Sequence, residues 1–315
     1  MDSKKTGITI PLVKLIMCPP DYMDTKTQNN IWMQEMAKKK GKDGIKVDKD
    51  KAMSQFKNMY ELFTDYAIIY LIPPRPGLQD QIYTSSAGMV LPHMEDKICI
   101  LPAFRANGRY GEQKEDRDFL EKLEYVCDAP PFFFEGEAEC KWVRDNIYIG
   151  GFGQRSDTRV YAWMEQKYNM EIIRVEETDP HLYHLDCSVF PLDPQHIMLG
   201  NQVLLPADVK KIEKVAEVIP VSKKSAYAGI CNSVRLGYTI FNCSNIEELE
   251  KGTEDYDVEK QKNIDLETIC SKFGLELVFI NLSEIMKSGA MMSCCILHLT
   301  YDTPKIKLGA LPKPL

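Results

Sequence analysis

FFFEGEAECKWVRDNIYIGGFGQRSDTRVYAWMEQKYNMEIIRVEE, residues 132–177, contains one full copy of the pattern that organises the chain. FFFEGEAECKWV and NIYIGGFG read as strands. TRVYAWMEQKYN has helical spacing, and EIIRVEE is a third strand. Upstream, IYTSSAGMV and KICILPAF read as strands before a helix with Phe119, Leu120, Leu123 and Val126 at helical spacing. Downstream, HLDCSVFPL and HIMLGNQVLL lead to the helix ADVKKIEKVAEV and the short strand VIPV. YAGICNSVRLG and YTIFNC then lead to IDLETICSKFG, with Gly274 at the expected helix stop, and to LELVFINL. MMSCCILHL closes the series.

The order strand, strand, helix, strand thus recurs about four times, every 40–60 residues or so. A looser copy stands at the N-terminus, where a helix from about Asp48 to Phe63 precedes YAIIYLI, stopped by Pro73–Pro74. Such a period predicts modules packed in a ring or array within one domain, residues 1–315. No glycine-rich loop opens a helix after a strand, so nucleotide binding has little support. The lysine-rich segment 24–51 reads as a mobile surface excursion.

Hydrophobic residues make up 44% of the 315 and charged residues 27%, the balance of a soluble globular protein. A net charge of −7 argues against nucleic-acid binding and suits a cationic substrate. The opening MDSKKTGITIPLVKLIM lacks a signal-peptide layout, and no stretch reaches the roughly 18 apolar residues of a membrane span. Ten scattered cysteines with no C-x-x-C pair read as mostly buried free thiols in a reducing, cytoplasmic compartment.

Three groups stand where a plain core would not put them. His184 and Asp186 share a face if HLDCSVFPL is extended, and Glu135, Glu137 and Glu139 share one if FFFEGEAEC is. Cys294 and Cys295 follow the run SGAMMS. Each has a structural alternative: a satisfied core histidine, the solvated side of an edge strand, an apolar thiol pair. Together, however, cysteine, histidine and carboxylate form the set used in covalent catalysis: thiolate attacks, imidazole moves protons, and an acid orients the imidazole.

RYGE, FFFEGE…NIYIGGFGQRSDTR, YHLDCSVFPL and SCCILHL, in that order along the chain, resemble the guanidino-modifying enzymes. That superfamily includes dimethylarginine dimethylaminohydrolase, arginine deiminase and the amidinotransferases. The resemblance implies the pentein fold, a five-bladed α/β-propeller of ββαβ units. It implies a cysteine-dependent hydrolase of arginine or a methylated arginine, working through a covalent thiouronium without metal or organic cofactor. Cys294 then matches the nucleophile, His184 the general acid/base, and Glu135 the orienting acid, with Glu137 as the alternate. Asp186 matches the carboxylate set against the guanidinium, with Glu137 and Glu139 as further substrate-facing acids. Arg155 and Arg109 match arginines near the amino-acid end of the substrate. Ser85 and Ser86 stand where related enzymes carry Asn or Asp, with Ser86 the substrate-facing position. An amidinotransferase, a protein-arginine deiminase and a pseudoenzyme that binds a partner stay open as alternatives. A small-molecule guanidine is the expected partner, and a homodimer is compatible with the resemblance.

Overall fold

In the computed structural model, residues 13–41 and 45–301 are described, and they form a mixed α/β architecture. The chain begins β1 (Val13–Met17), α1 (Ile31–Lys40), α2 (Lys49–Thr64) and β2 (Ala67–Leu71). Next come β3 (Met89–Val90), β4 (Ile98–Ile100), α3 (Glu112–Lys122) and β5 (Val126–Asp128), then β6 (Cys140–Arg144), β7 (Ile147–Phe152), α4 (Thr158–Tyr168) and β8 (Glu171–Glu176). The second half holds β9 (Val189–Pro191), β10 (His196–Leu199), α5 (Pro206–Ile212), β11 (Glu217–Pro220) and α6 (Lys223–Tyr227). It ends with β12 (Val234–Leu236), β13 (Thr239–Cys243), α7 (Glu254–Phe273), β14 (Glu276–Ile280), α8 (Ser283–Met286) and β15 (Leu297–His298).

The described strands form five three-stranded sheets of one design. Two strands pair antiparallel, a helix crosses over, and a third strand returns parallel to the second. The fifth sheet draws on both chain ends: β15 runs antiparallel to β1, and β2 runs parallel to it after α2. The looser N-terminal copy and the closing MMSCCILHL are therefore halves of one unit.

The 132–177 unit shows why these residues build it. Asp157 caps α4 by accepting from the Arg159 N–H, and Asn169 ends it in the left-handed conformation at φ 53°. Val160, Met164 and Tyr168, four residues apart, bury one face. Gly150 and Gly151 on β7 each make room for a neighbour. A Cβ at Gly150 would lie 2.6 Å from the Tyr161 ring, and one at Gly151 would lie 2.9 Å from both Glu139 and Glu177. The Tyr161 hydroxyl, fully buried, donates to the carbonyls of Glu139 and Gly151.

Several expected strands are shorter than their apolar runs. HLDCSVFPL is extended only over β9, because His184 precedes a tight 3₁₀ turn at Leu185–Cys187. In FFFEGEAEC, Gly136–Ala138 is another such turn, so the three glutamates do not share a strand face. IYTSSAGMV holds the turn Thr84–Ser86 and only the two residues of β3, and YAGICNSVRLG holds the end of α6 and only the three residues of β12. The helix after KICILPAF stops at Lys122, leaving Leu123 outside it and Val126 exposed on β5. These turns look like strands because they are buried, and burial selects apolar neighbours whatever the backbone does. The lysine-rich segment is likewise more than surface: Asn30 caps α1, and its side chain donates to the Ser288 carbonyl at 2.7 Å.

The turns matter most for position. Each precedes the first strand of its unit, and they touch one another. Glu137 N–H donates to Gly88 O (2.8 Å), Thr84 Oγ1 to Cys295 O (2.7 Å), and Ser293 Oγ to Asp186 Oδ2 (2.6 Å). Ser293 N–H donates to Asn232 Oδ1 at 2.8 Å. Among the described residues, no helix is long and apolar enough to cross a membrane, and all ten cysteines are free.

Candidate active site

Where the turns meet, His184 Nε2 lies 2.8 Å from Glu135 Oε2. Both side chains are buried, Glu135 completely. Glu135 also accepts from the Arg105 N–H (3.3 Å) and from the Arg155 guanidinium (3.4 Å). Burial opposes its ionisation, but the His184 hydrogen bond and Arg155 outweigh it and hold the carboxyl well below the usual range. An ionised acid fixed on one ring nitrogen orients the imidazole and leaves its other nitrogen for the reaction.

His184 and Cys294 line the same small cavity, together with Ser85, Ser86, Arg109 and Arg155. The Cys294 sulfur is 3.7 Å from Asp186 Oδ2 and accepts a hydrogen bond from Asn232 Nδ2 at 3.4 Å. Burial and the Asp186 carboxylate push the Cys294 thiol well up, while hydrogen bonds to the Met291 backbone and Asn232 pull the other way. Alone, then, the sulfur is a thiol at neutral pH. A cation bound against Asp186 removes the main electrostatic obstacle to the thiolate.

Arg155 reaches across the cavity, donating to the Asn29 carbonyl at 2.6 Å and lying 4.9 Å over the Tyr183 ring. Arg109 is committed to structure: it pairs with Glu112 at 2.7 Å, donates to the Asp80 and Tyr83 carbonyls and stacks on Phe104. Ser85 Oγ is buried without a hydrogen-bond partner among the described residues, and Ser86 lines the same cavity. Cys295, next to Cys294, turns away into the core and contacts the Met291 carbonyl instead.

Two of the expected acids are placed elsewhere. Glu137 bonds His298 through both the ring and the backbone N–H, each at 2.8 Å, and lines a different cavity. Glu139 packs against Glu177 beneath β7, and it does not line the Cys294 cavity. Asn232 escaped the sequence reading. It occupies in the fourth unit the turn that carries His184 and Asp186 in the third, and that equivalence was the available signal. Among the described residues, no group of three or more His, Cys, Asp or Glu is placed to hold a metal ion.

Residues 19–301 match the family model described as "N,N dimethylarginine dimethylhydrolase, eukaryotic". A bifunctional arginine dihydrolase/ornithine cyclodeaminase of Nostoc sp. is 25% identical over 294 residues, which is 91% of this chain and 38% of the Nostoc protein. The chain therefore spans well under half of that relative. The dimethylarginine dimethylaminohydrolase of Mycobacterium tuberculosis is 23% identical over 285 residues, covering 90% of this chain and 84% of that one. Among solved structures, the N-terminal domain of the cyanobacterial arginine dihydrolase ArgZ, bound to substrate, superposes with a TM-score of 0.77 at 23% identity. It covers 91% of this chain and 98% of its own.

Proposed function

The chain belongs to the eukaryotic N,N-dimethylarginine dimethylhydrolase family, and on that footing we propose that it hydrolyses the guanidino group of arginine or a methylated arginine. The five sheets are then the blades of a pentein propeller, with the five turns at its centre. The observation that carries the activity is the convergence of three distant residues: Glu135 on His184 at 2.8 Å, and Cys294 in the cavity that His184 lines. The names of the Nostoc and Mycobacterium relatives, an arginine dihydrolase and a dimethylarginine hydrolase, agree with it.

A guanidinium is planar and permanently charged, and a carboxylate such as Asp186 holds it through charge-assisted hydrogen bonds. With the cation in place, Cys294 passes its proton to His184 and its sulfur bonds to the guanidinium carbon, giving a tetrahedral adduct. His184 donates a proton to the departing nitrogen as the C–N bond breaks. Ammonia or a methylamine leaves behind a thiouronium on Cys294. The neutral imidazole then takes a proton from water, the oxygen bonds to the same carbon, and the C–S bond breaks to release a ureido product and the thiol. Glu135 keeps the ring oriented throughout. Arg155 meets the carboxylate end of the amino acid. General acid–base help of this kind is worth about 10²–10⁴-fold.

The cavity measures about 30 Å³, room for roughly one water, and Asn29 and Asn30 help to wall it. A guanidine is admitted when this cover shifts, and closing over the ligand favours a small molecule over a protein side chain. The test is an acid quench during turnover of L-arginine and Nω,Nω-dimethyl-L-arginine, followed by peptide mass spectrometry. An amidino adduct on Cys294 is expected. Cys294→Ala should abolish turnover with the fold intact, and Cys295→Ala should not. Absence of turnover and adduct with both guanidines would overturn the proposal.

A further inference from the structure

Beside the small cavity lies one of about 550 Å³ that none of the proposed chemistry uses. The same two stretches of chain divide them. In one, His181 and Leu182 face the large cavity while Tyr183 and His184 face the small one. In the other, Gly289 and Met291 face the large cavity while Ser288 and Ala290 face the small one. Asn232 belongs to the wall as well: it lines the large cavity, and its side chain touches the Cys294 sulfur at 3.4 Å.

Hydrogen bonds tie the partition to its surroundings. Trp32 Nε1 donates to His181 O (2.7 Å), Asn30 Nδ2 to Ser288 O (2.7 Å), and the Tyr183 hydroxyl to Gly289 O (3.0 Å). Two of the three come from Asn30 and Trp32 at the start of α1, where Asn29 and Asn30 wall the small cavity. A shift of this stretch that admits a guanidine also breaks these two hydrogen bonds of the partition.

The large cavity has the lining of an apolar subsite. Trp32, Met36, Leu182, Tyr227 and Met291 form its floor near the partition. The Trp32 indole meets the His181 and Tyr227 rings edge-on at 4.9 and 6.3 Å. Among the charged residues of the lining, Lys51 pairs with Glu248 and Lys287 with Glu284, and Asp255 adds one further carboxylate. Such a floor takes a flat or flexible hydrocarbon group.

We propose that this cavity is the second half of the substrate site, receiving an apolar substituent on the guanidino nitrogen that is larger than methyl. This rests on the hydrolase proposal and names the substrate class: guanidines carrying an aralkyl or long alkyl arm, released as the corresponding amine. Attack still forms the bond from Cys294 sulfur to the guanidinium carbon. The leaving amine then takes its proton from His184 and departs through the large cavity.

The experiment compares kcat/KM for L-arginine, Nω,Nω-dimethyl-L-arginine and Nω-benzyl-L-arginine, and titrates N-benzylguanidine against N-methylguanidine by calorimetry. The expected result is benzylarginine turnover at least equal to that of dimethylarginine, with N-benzylguanidine binding at least tenfold tighter than N-methylguanidine. In Met36→Trp, which fills the cavity, the benzyl-to-dimethyl ratio of kcat/KM should fall at least tenfold. Turnover of the small guanidines without benzylarginine, or a ratio unmoved by Met36→Trp, overturns the subsite and spares the hydrolase. If none of the three is turned over, the hydrolase proposal falls by itself. Calorimetry then decides the cavity: equal binding of the two guanidines overturns it, and the tenfold preference upholds the site.

Discussion

At the scale of single residues, the nucleophile candidate sits in an environment that suppresses its own reactivity. Cys294 is buried with the Asp186 carboxylate 3.7 Å from its sulfur, and both push its thiol up. Iodoacetamide, which is uncharged, should therefore label Cys294 slowly at pH 7, with the rate rising about tenfold per pH unit. Asp186→Asn should speed labelling at pH 7 by about tenfold or more, since the neighbouring charge is gone. The same change should cut guanidine turnover by at least about 100-fold, since the cation loses its partner. Peptide mass spectrometry for the first and a citrulline assay for the second read these opposite signs; equal labelling of wild type and Asp186→Asn would refute the account. His184 and Asp186 were legible as polar residues in an apolar run, whereas Cys294 is singled out by the family resemblance, because a thiol pair in an apolar run looks like core. Asn232 was not legible, because an asparagine before a serine, shortly after Gly229, looks like any turn residue.

At the scale of elements, the expected units are present, but the site is built from the parts misread as strand. Period-two alternation and a buried tight turn leave similar apolar signatures, so His184-x-Asp186 and Glu135-x-Glu137 were each placed on one strand face. In the structure each pair straddles or enters a 3₁₀ turn, which sends Glu135 to His184 and Glu137 to His298. Gly136 makes the first turn feasible. Its φ is +70°, and an added Cβ would lie 2.7 Å from Ser85 O and 2.8 Å from Gly88 O. Those are backbone atoms of the neighbouring turn and cannot step aside. Gly136→Ala should therefore cost roughly 2–4 kcal/mol, combining the left-handed conformation with the clash. A urea denaturation series checks it, and a midpoint equal to wild type would show that the turns are not packed as described.

At the scale of the whole molecule, the repeated strand–strand–helix–strand unit was legible in the sequence, whereas the union of β15 with β1 and β2 in one sheet was not. β15 is two residues long and pairs with β1 across nearly the full sequence, a contact that no local pattern encodes. Nor did the sequence disclose that Glu139 would meet Glu177, 38 residues on, in a buried place that Gly151 leaves open. Both carboxyls are inaccessible, and burial raises both, Glu139 to about 7 and Glu177 well above the ordinary range. A carboxyl whose folded value exceeds its unfolded one, about 4.3, stabilises the fold fully below that unfolded value. The contribution is lost as pH rises through the folded value. Wild-type protein should thus lose thermal stability between pH 5 and pH 8 on account of this pair. Glu177→Gln keeps the shape and supplies an amide donor to Glu139 once that carboxyl ionises. Its Tm should match wild type at pH 5 within about 1 °C and exceed it at pH 8 by roughly 2–4 °C. Differential scanning calorimetry at the two pH values measures this, and parallel Tm–pH curves for the two proteins would mean that the pair carries no proton between them.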